Sequence, residues 1–160
     1  MQRLPSICAS MLILAAQSAA PAQPGAGAGP YRVLQVARVG GGTGGFDYVN
    51  LDAEARRIYI ARGGEDASPA RIMVIDLDTL KQVGEIPDTR ANGVAIDASS
   101  HHGFASSKPV LMFDTRTLQP IRTIEVESTP DGMFFDAPNR HIYVLSHGMP
   151  NVTVLDSRDG

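Results

Sequence analysis

Three short polar residues, Asp47, Asn92 and Asp131, fall at one equivalent position when the chain is aligned on Asp52, Asp97 and Asp136. Each stands at the start of an apolar run. If those runs converge on one axis, the carboxylate and amide oxygens form a ring that could bind a hard divalent cation such as calcium, or polarise a substrate. The competing explanation is local, because Asp and Asn open strands by bonding nearby backbone with their side chains. A second set is basic. Arg62, Lys108 and His147 lie in the loops after the second run of each repeat, on one face, where they could receive an anionic ligand. Solvated loop charge is the plainer alternative. His101-His102 sits in a turn and His141 begins an apolar run. Neither has metal-site spacing to another ligand type, so the sequence establishes no metal centre. No Ser/His/Asp triad can be read from chain order. Asn151-Val152-Thr153 matches a glycosylation sequon, a triplet that also arises often by chance.

The elements that must position these residues repeat. Ile72 to Leu80 reads as an apolar strand, an Asp-initiated turn and the start of another strand. The pattern returns at Leu111 to Leu118 and at Val152 to Asp159, with landmark aspartates Asp76, Asp114 and Asp156 lying 38 and 42 residues apart. Asp52, Asp97 and Asp136 keep step, each followed by an aromatic at Tyr59, Phe104 and Tyr143. A period near 40 residues, filled with short strands and no helical stretch, predicts an all-β fold, the four-stranded antiparallel blades of a β-propeller. Blade one is expected over 45–90, blade two over 91–129 and an incomplete blade three over 130–160. The sequence stops in the turn after the third strand of that blade, where the first two blades continue into a fourth. About two and a half blades would leave two open sheet faces and an unpaired edge, an expected association surface. The ending thus predicts the N-terminal part of a longer gene product. Gly40 to Gly45 reads as a connector and not a phosphate loop, since a strand and not a helix follows it.

Composition bounds the rest. The chain has 160 residues, 43% hydrophobic and 19% charged, which is globular and not disordered. A net charge of -3 gives no strong nucleic-acid signature. Arg3, the apolar run Ile7 to Ala16 and Ala20-Pro21-Ala22 together read as a signal peptide over 1–22, with a flexible leader over 23–30. The apolar run is too short for a membrane span, which needs about 20 residues. Export to the periplasm or beyond follows, with no membrane span after cleavage. The single cysteine, Cys8, is removed with that segment, so disulfides and thiolate chemistry are excluded from the mature chain.

Arg57 to Ala61, Ile72 to Thr79, Thr129-Pro130-Asp131-Gly132 and His141-Ile142-Tyr143-Val144 resemble the YVTN, or YncE-like, β-propeller repeat. The likeness covers Tyr31 to Gly160. It implies a seven-bladed, exported propeller without an established catalytic residue, in which Tyr31 to Val39 is the outermost strand of the last blade and closes the ring. Blade two departs from the pattern, with Gly103-Phe104-Ala105 in place of Tyr-Val. The expected function is a binding or scaffold module for a protein, peptide or small-molecule ligand, with no cofactor evident. The alternative is a metal-dependent, lactonase-like hydrolase with a divalent cation in its channel. Tryptophan is absent, which removes the stacking floor used by quinone-cofactor propellers.

Overall fold

The computed structural model describes residues 31–41, 44–64 and 69–160. The expected signal peptide and leader lie outside the described residues. Eleven strands follow in order: β1 (Phe46–Asp52), β2 (Arg57–Arg62), β3 (Arg71–Asp76), β4 (Gln82–Ile86), β5 (Val94–Asp97), β6 (His102–Ala105), β7 (Val110–Asp114), β8 (Pro120–Ile124), β9 (Pro130–Asp136), β10 (His141–Ser146) and β11 (Val152–Asp156). They form three antiparallel meanders, β1-β2-β3-β4, β5-β6-β7-β8 and β9-β10-β11. These are blades one, two and three, about two and a half blades in all.

Each blade turns its corners by the same local chemistry. After β3, the Asp76 carboxylate accepts hydrogen bonds from the Thr79 amide and hydroxyl, both at 2.7 Å, and from the Asp78 amide. Asp114 does the same for Thr117 and Arg116 after β7. Hydrogen bonding led by the Thr79 hydroxyl holds the Asp76 carboxyl below its ordinary pKa, and Arg116 and Arg158 do so for Asp114 and Asp156. The landmark aspartates are therefore turn-builders.

Alternation within the strands gives every blade two apolar faces. Tyr59, Ala61, Ile72 and Val74 of blade one pack on Val94, Ile96 and Phe113 of blade two. The opposite face of blade two, with Ala95, Phe104 and Met112, packs on Ile142, Val144 and Leu155 of blade three. Gly103 shows why blade two departs from the repeat. A Cβ there would sit 2.2 Å from the Phe113 ring, its cross-strand partner. The equivalent pairs are Ile58 with Ile75 and Ile142 with Leu155. Blade two has moved that volume from one strand to the other.

The two outer faces differ. On blade one, Val39 packs against Ile60, Met73 and Ile75, and Gly40 lies so close to Met73 that a Cβ would meet its methyl at 2.2 Å. Arg71 and Arg62 donate to the Gly41 carbonyl at 2.8 and 3.2 Å, tying this strap down. On blade three, Phe134, Leu145, Val152 and Val154 stay exposed, and Phe134 stacks on Tyr143 with ring centroids 4.9 Å apart.

The run Tyr31 to Val39 is expected to pair with the last blade of the ring, which the eleven described strands do not include. A strand exists by pairing, and none of the described strands pairs with this run. Tyr31–Val36 belongs to a unit separate from Ala37–Gly160, and Val33, Leu34 and Val36 are exposed.

Candidate functional site

Asp47 and Asp131 lie on the inner strands β1 and β9, and Asn92 lies two residues before the inner strand β5. Asn92 donates through Nδ2 to Asp131 Oδ1 at 3.2 Å and to the Pro130 carbonyl at 3.3 Å. His147 Nδ1 stands 3.5 Å from Asp131 Oδ2. One residue of each predicted set is thus joined to the other set through Asp131. Asp47 is not part of this cluster, because its carboxylate accepts from the amide of Tyr48 at 2.9 Å. It opens its strand, as the local explanation has it. Beside it the Tyr48 amide donates to the Asn92 carbonyl at 2.9 Å and stitches blade one to blade two. Of the expected ring, the described residues join Asn92 and Asp131, a pair bridging blades two and three. Among the described residues, no three His, Cys, Asp or Glu side chains gather where one metal ion could be held. A calcium ion takes six or more oxygens, so this pair supplies only part of such a shell.

The basic set does not assemble. Arg62 is 5% exposed and turns inward, where Nη2 donates to the Gly44 carbonyl at 2.8 Å and the guanidinium lies 4.4 Å over the Phe46 ring. Backbone carbonyls of the glycine connector receive its charge. Lys108 donates to the Glu127 carbonyl at 3.1 Å. The Asn151 amide of the sequon is engaged too, donating to Glu127 at 3.0 Å and accepting from Ser146.

Two features escaped the sequence reading. The first is a groove of about 360 Å³ across the inner strands, lined by Tyr48, Val49, Val94, Met133 and Phe134. Tyr48, Val49 and Phe134 are each more than half exposed. Asn92 and Asp131 immediately precede Gly93 and Gly132, which also line it, so a polar pair borders an apolar floor. The signal lay in Phe46 to Leu51, where apolar residues fall on both faces of the strand.

The second is a buried polar clamp between blades two and three. Asp97 is fully buried, and its Oδ2 accepts from the Ser157 hydroxyl at 2.6 Å, the Ser100 hydroxyl at 2.7 Å and the Arg140 guanidinium at 2.6 Å. Burial works to raise the Asp97 pKa. The hydrogen bonds from Ser157, Ser100 and Ser99 and the Arg140 charge outweigh it and hold the carboxyl below its ordinary value. His102 donates through Nδ1 to the Ser157 carbonyl at 3.0 Å. These are the residue types of a catalytic triad in another geometry. The serine hydroxyl bonds the aspartate and not the histidine, so no base stands ready to activate it.

No protein-family model and no curated protein matches the chain. Among solved structures, the β-propeller domain of Cps50 (Swd1) from Myceliophteria thermophila superposes with a TM-score of 0.53 at 9% identity, over 77% of this chain and 41% of that one. The fold is a β-propeller. Hydrazine synthase from Kuenenia stuttgartiensis superposes with a TM-score of 0.61 at 18% identity, over 79% of this chain and 36% of that one. The propeller described here thus spans less than half the length of either structure. Identities this low speak for fold alone.

Proposed function

We propose that the chain is part of an exported propeller of the YVTN, or YncE-like, kind, working as a binding or scaffold module whose ligand lies in the groove across the inner strands. The supporting observation is the groove itself. Exposed Tyr48, Val49 and Phe134 make an apolar floor, and the Asn92–Asp131 pair borders it with fixed polar atoms. Binding sites commonly combine an apolar lining with a few placed polar groups. The repeat resemblance and the expected signal peptide put this surface in the periplasm or outside the cell. A photo-crosslinking side chain at position 48 of the full-length protein, expressed with its signal peptide, tests the reading. It should give a discrete crosslinked species in the periplasmic fraction, while the same probe at Val83, on an outer strand, should not. Equal labelling at both positions, or protein retained with Met1 in the cytoplasm, would overturn it.

A lactonase-like hydrolase is the second reading, favoured by the meeting of Asn92 and Asp131 at 3.2 Å. It requires that calcium raise the melting temperature of the full-length protein and that Asp131→Ala remove the rise. A calcium-independent melt eliminates it.

A further inference from the structure

We propose that the seam between blades one and two holds a binding site for a guanidinium group, with the Asp52 carboxylate as its anion. The argument comes from the repeat. Arg56, His101 and Arg140 occupy one position, just before the second strand of each blade, and all three take the left-handed backbone conformation at φ of 54°, 61° and 59°. From that position in blade three, Arg140 reaches back to the Asp97 carboxylate of blade two at 2.6 Å and to the Ser99 hydroxyl. Ser100 and Ser157 complete the shell around the same carboxylate.

One seam earlier, the counterparts are Asp52 for Asp97, Ala55 for Ser100, His101 for Arg140 and Thr115 for Ser157. Asp52 is 3% exposed, yet its side chain accepts one hydrogen bond, from the Ala55 amide at 2.9 Å, and no ion pair reaches it among the described residues. In place of the guanidinium stands a cavity of about 320 Å³, and Asp52, Ala55, His101 and Thr115 all line it. A carboxylate placed this deeply gains from a counter-charge. The next seam shows which chemistry this pocket shape accepts. Glu54, at the position of Ser99, adds a second acceptor to the wall. A planar guanidinium fork suits two acceptors better than an ammonium does. Arg57 and Arg116 line the cavity as well, but both are engaged: Arg57 donates to the Thr115 carbonyl, and Arg116 pairs with Asp114 at 3.1 Å. The counterpart of Arg116, Arg158, is likewise paired beside the filled seam, with Asp156. This site lies at the opposite end of the inner strands from Asn92 and Asp131, so it stands independently of the function proposed above.

The test uses the full-length protein labelled at its alanine and threonine methyls, with N-acetyl-arginine amide as the probe. The Ala55, Ala98 and Thr115 methyl signals should shift saturably, with a dissociation constant of about 1 mM or tighter. The citrulline analogue, isosteric and uncharged, should leave them in place. Free arginine, with its own charged α-groups, separates the sources. Comparable binding points to a small solute, while preference for the blocked form points to an arginine within a polypeptide. Asp52→Asn should weaken binding about tenfold or more. The double variant Ala55→Ser with His101→Arg transplants the filled seam. It should abolish binding while melting at or above the wild-type temperature, which excludes misfolding as the cause. Citrulline binding as well as arginine, undiminished binding to Asp52→Asn, or a transplanted seam that still binds the probe would each overturn the proposal.

Discussion

At the seam between blades one and two, the fully buried Phe113 ring lies 6.0 Å from Tyr59, and no ion pair crosses among the described residues. At the seam between blades two and three, Leu155 takes the place of Phe113, and the Asp97–Arg140 pair with its serines crosses instead. The repeat supplies the same backbone to both. Close packing of an aromatic ring is thus one way to fix two sheets, and a satisfied buried carboxylate is another. The first gains from area removed from water and does not depend on pH. The second depends on every donor being present, because a half-satisfied network costs more than none.

Three substitutions break the comparison, each measured by denaturant unfolding of the full-length protein. Phe113→Ala should be the most costly, about 3–5 kcal/mol, since it empties the centre of the first seam. A loss below that of Asp97→Asn would reverse the ranking. Gly103→Ala attacks the same seam from the partner strand by driving a methyl into the Phe113 ring. It should cost about 1–3 kcal/mol as overpacking. Adding Phe113→Leu should recover most of that, because Leu155 opposite Ile142 is already such a pair. Asp97→Asn should cost about 1–2 kcal/mol at neutral pH, the scale of weakened hydrogen bonds to a charged group. The Asp97 carboxyl is held below its unfolded value, so its contribution is present above the unfolded pKa of about 3.9 and fades as pH falls through the folded value. The stability curves of wild type and Asp97→Asn should therefore converge in acid, whereas Phe113→Ala should run parallel to wild type. A constant gap for Asp97→Asn at every pH would remove the charge from the account.

The propeller was legible because its signals are local. Asp76, Asp114 and Asp156 mark their corners through bonds to residues two and three positions ahead, which any reader of the sequence can count. The candidate sites were less legible, because they depend on which seam a side chain enters. Alignment placed Asp47, Asn92 and Asp131 together, yet the tie between Asn92 and Asp131 spans two blades and leaves Asp47 to its own backbone. Arg62 looked like loop charge because nothing local says that Gly41 and Gly44 will offer it carbonyls. Tyr31 to Val39 has strand composition, and whether it pairs depends on the last blade of the ring, which composition alone does not supply. The Asp97 clamp was hidden for the same reason. Ser99, Ser100, Arg140 and Ser157 read as turn residues until two blades are brought face to face.

The strap of Val39 to Gly41 guards the outer face of blade one against association. Unending filaments need each unit to offer a bare surface at both ends, so that every addition exposes the next. Among the described residues, the outer face of blade three exposes Phe134, Leu145, Val152 and Val154. Blade one is capped, and reaching it would mean lifting Val39 and breaking the bonds that Arg62 and Arg71 make to Gly41. An approach to the outer face of blade one therefore has to displace this strap first.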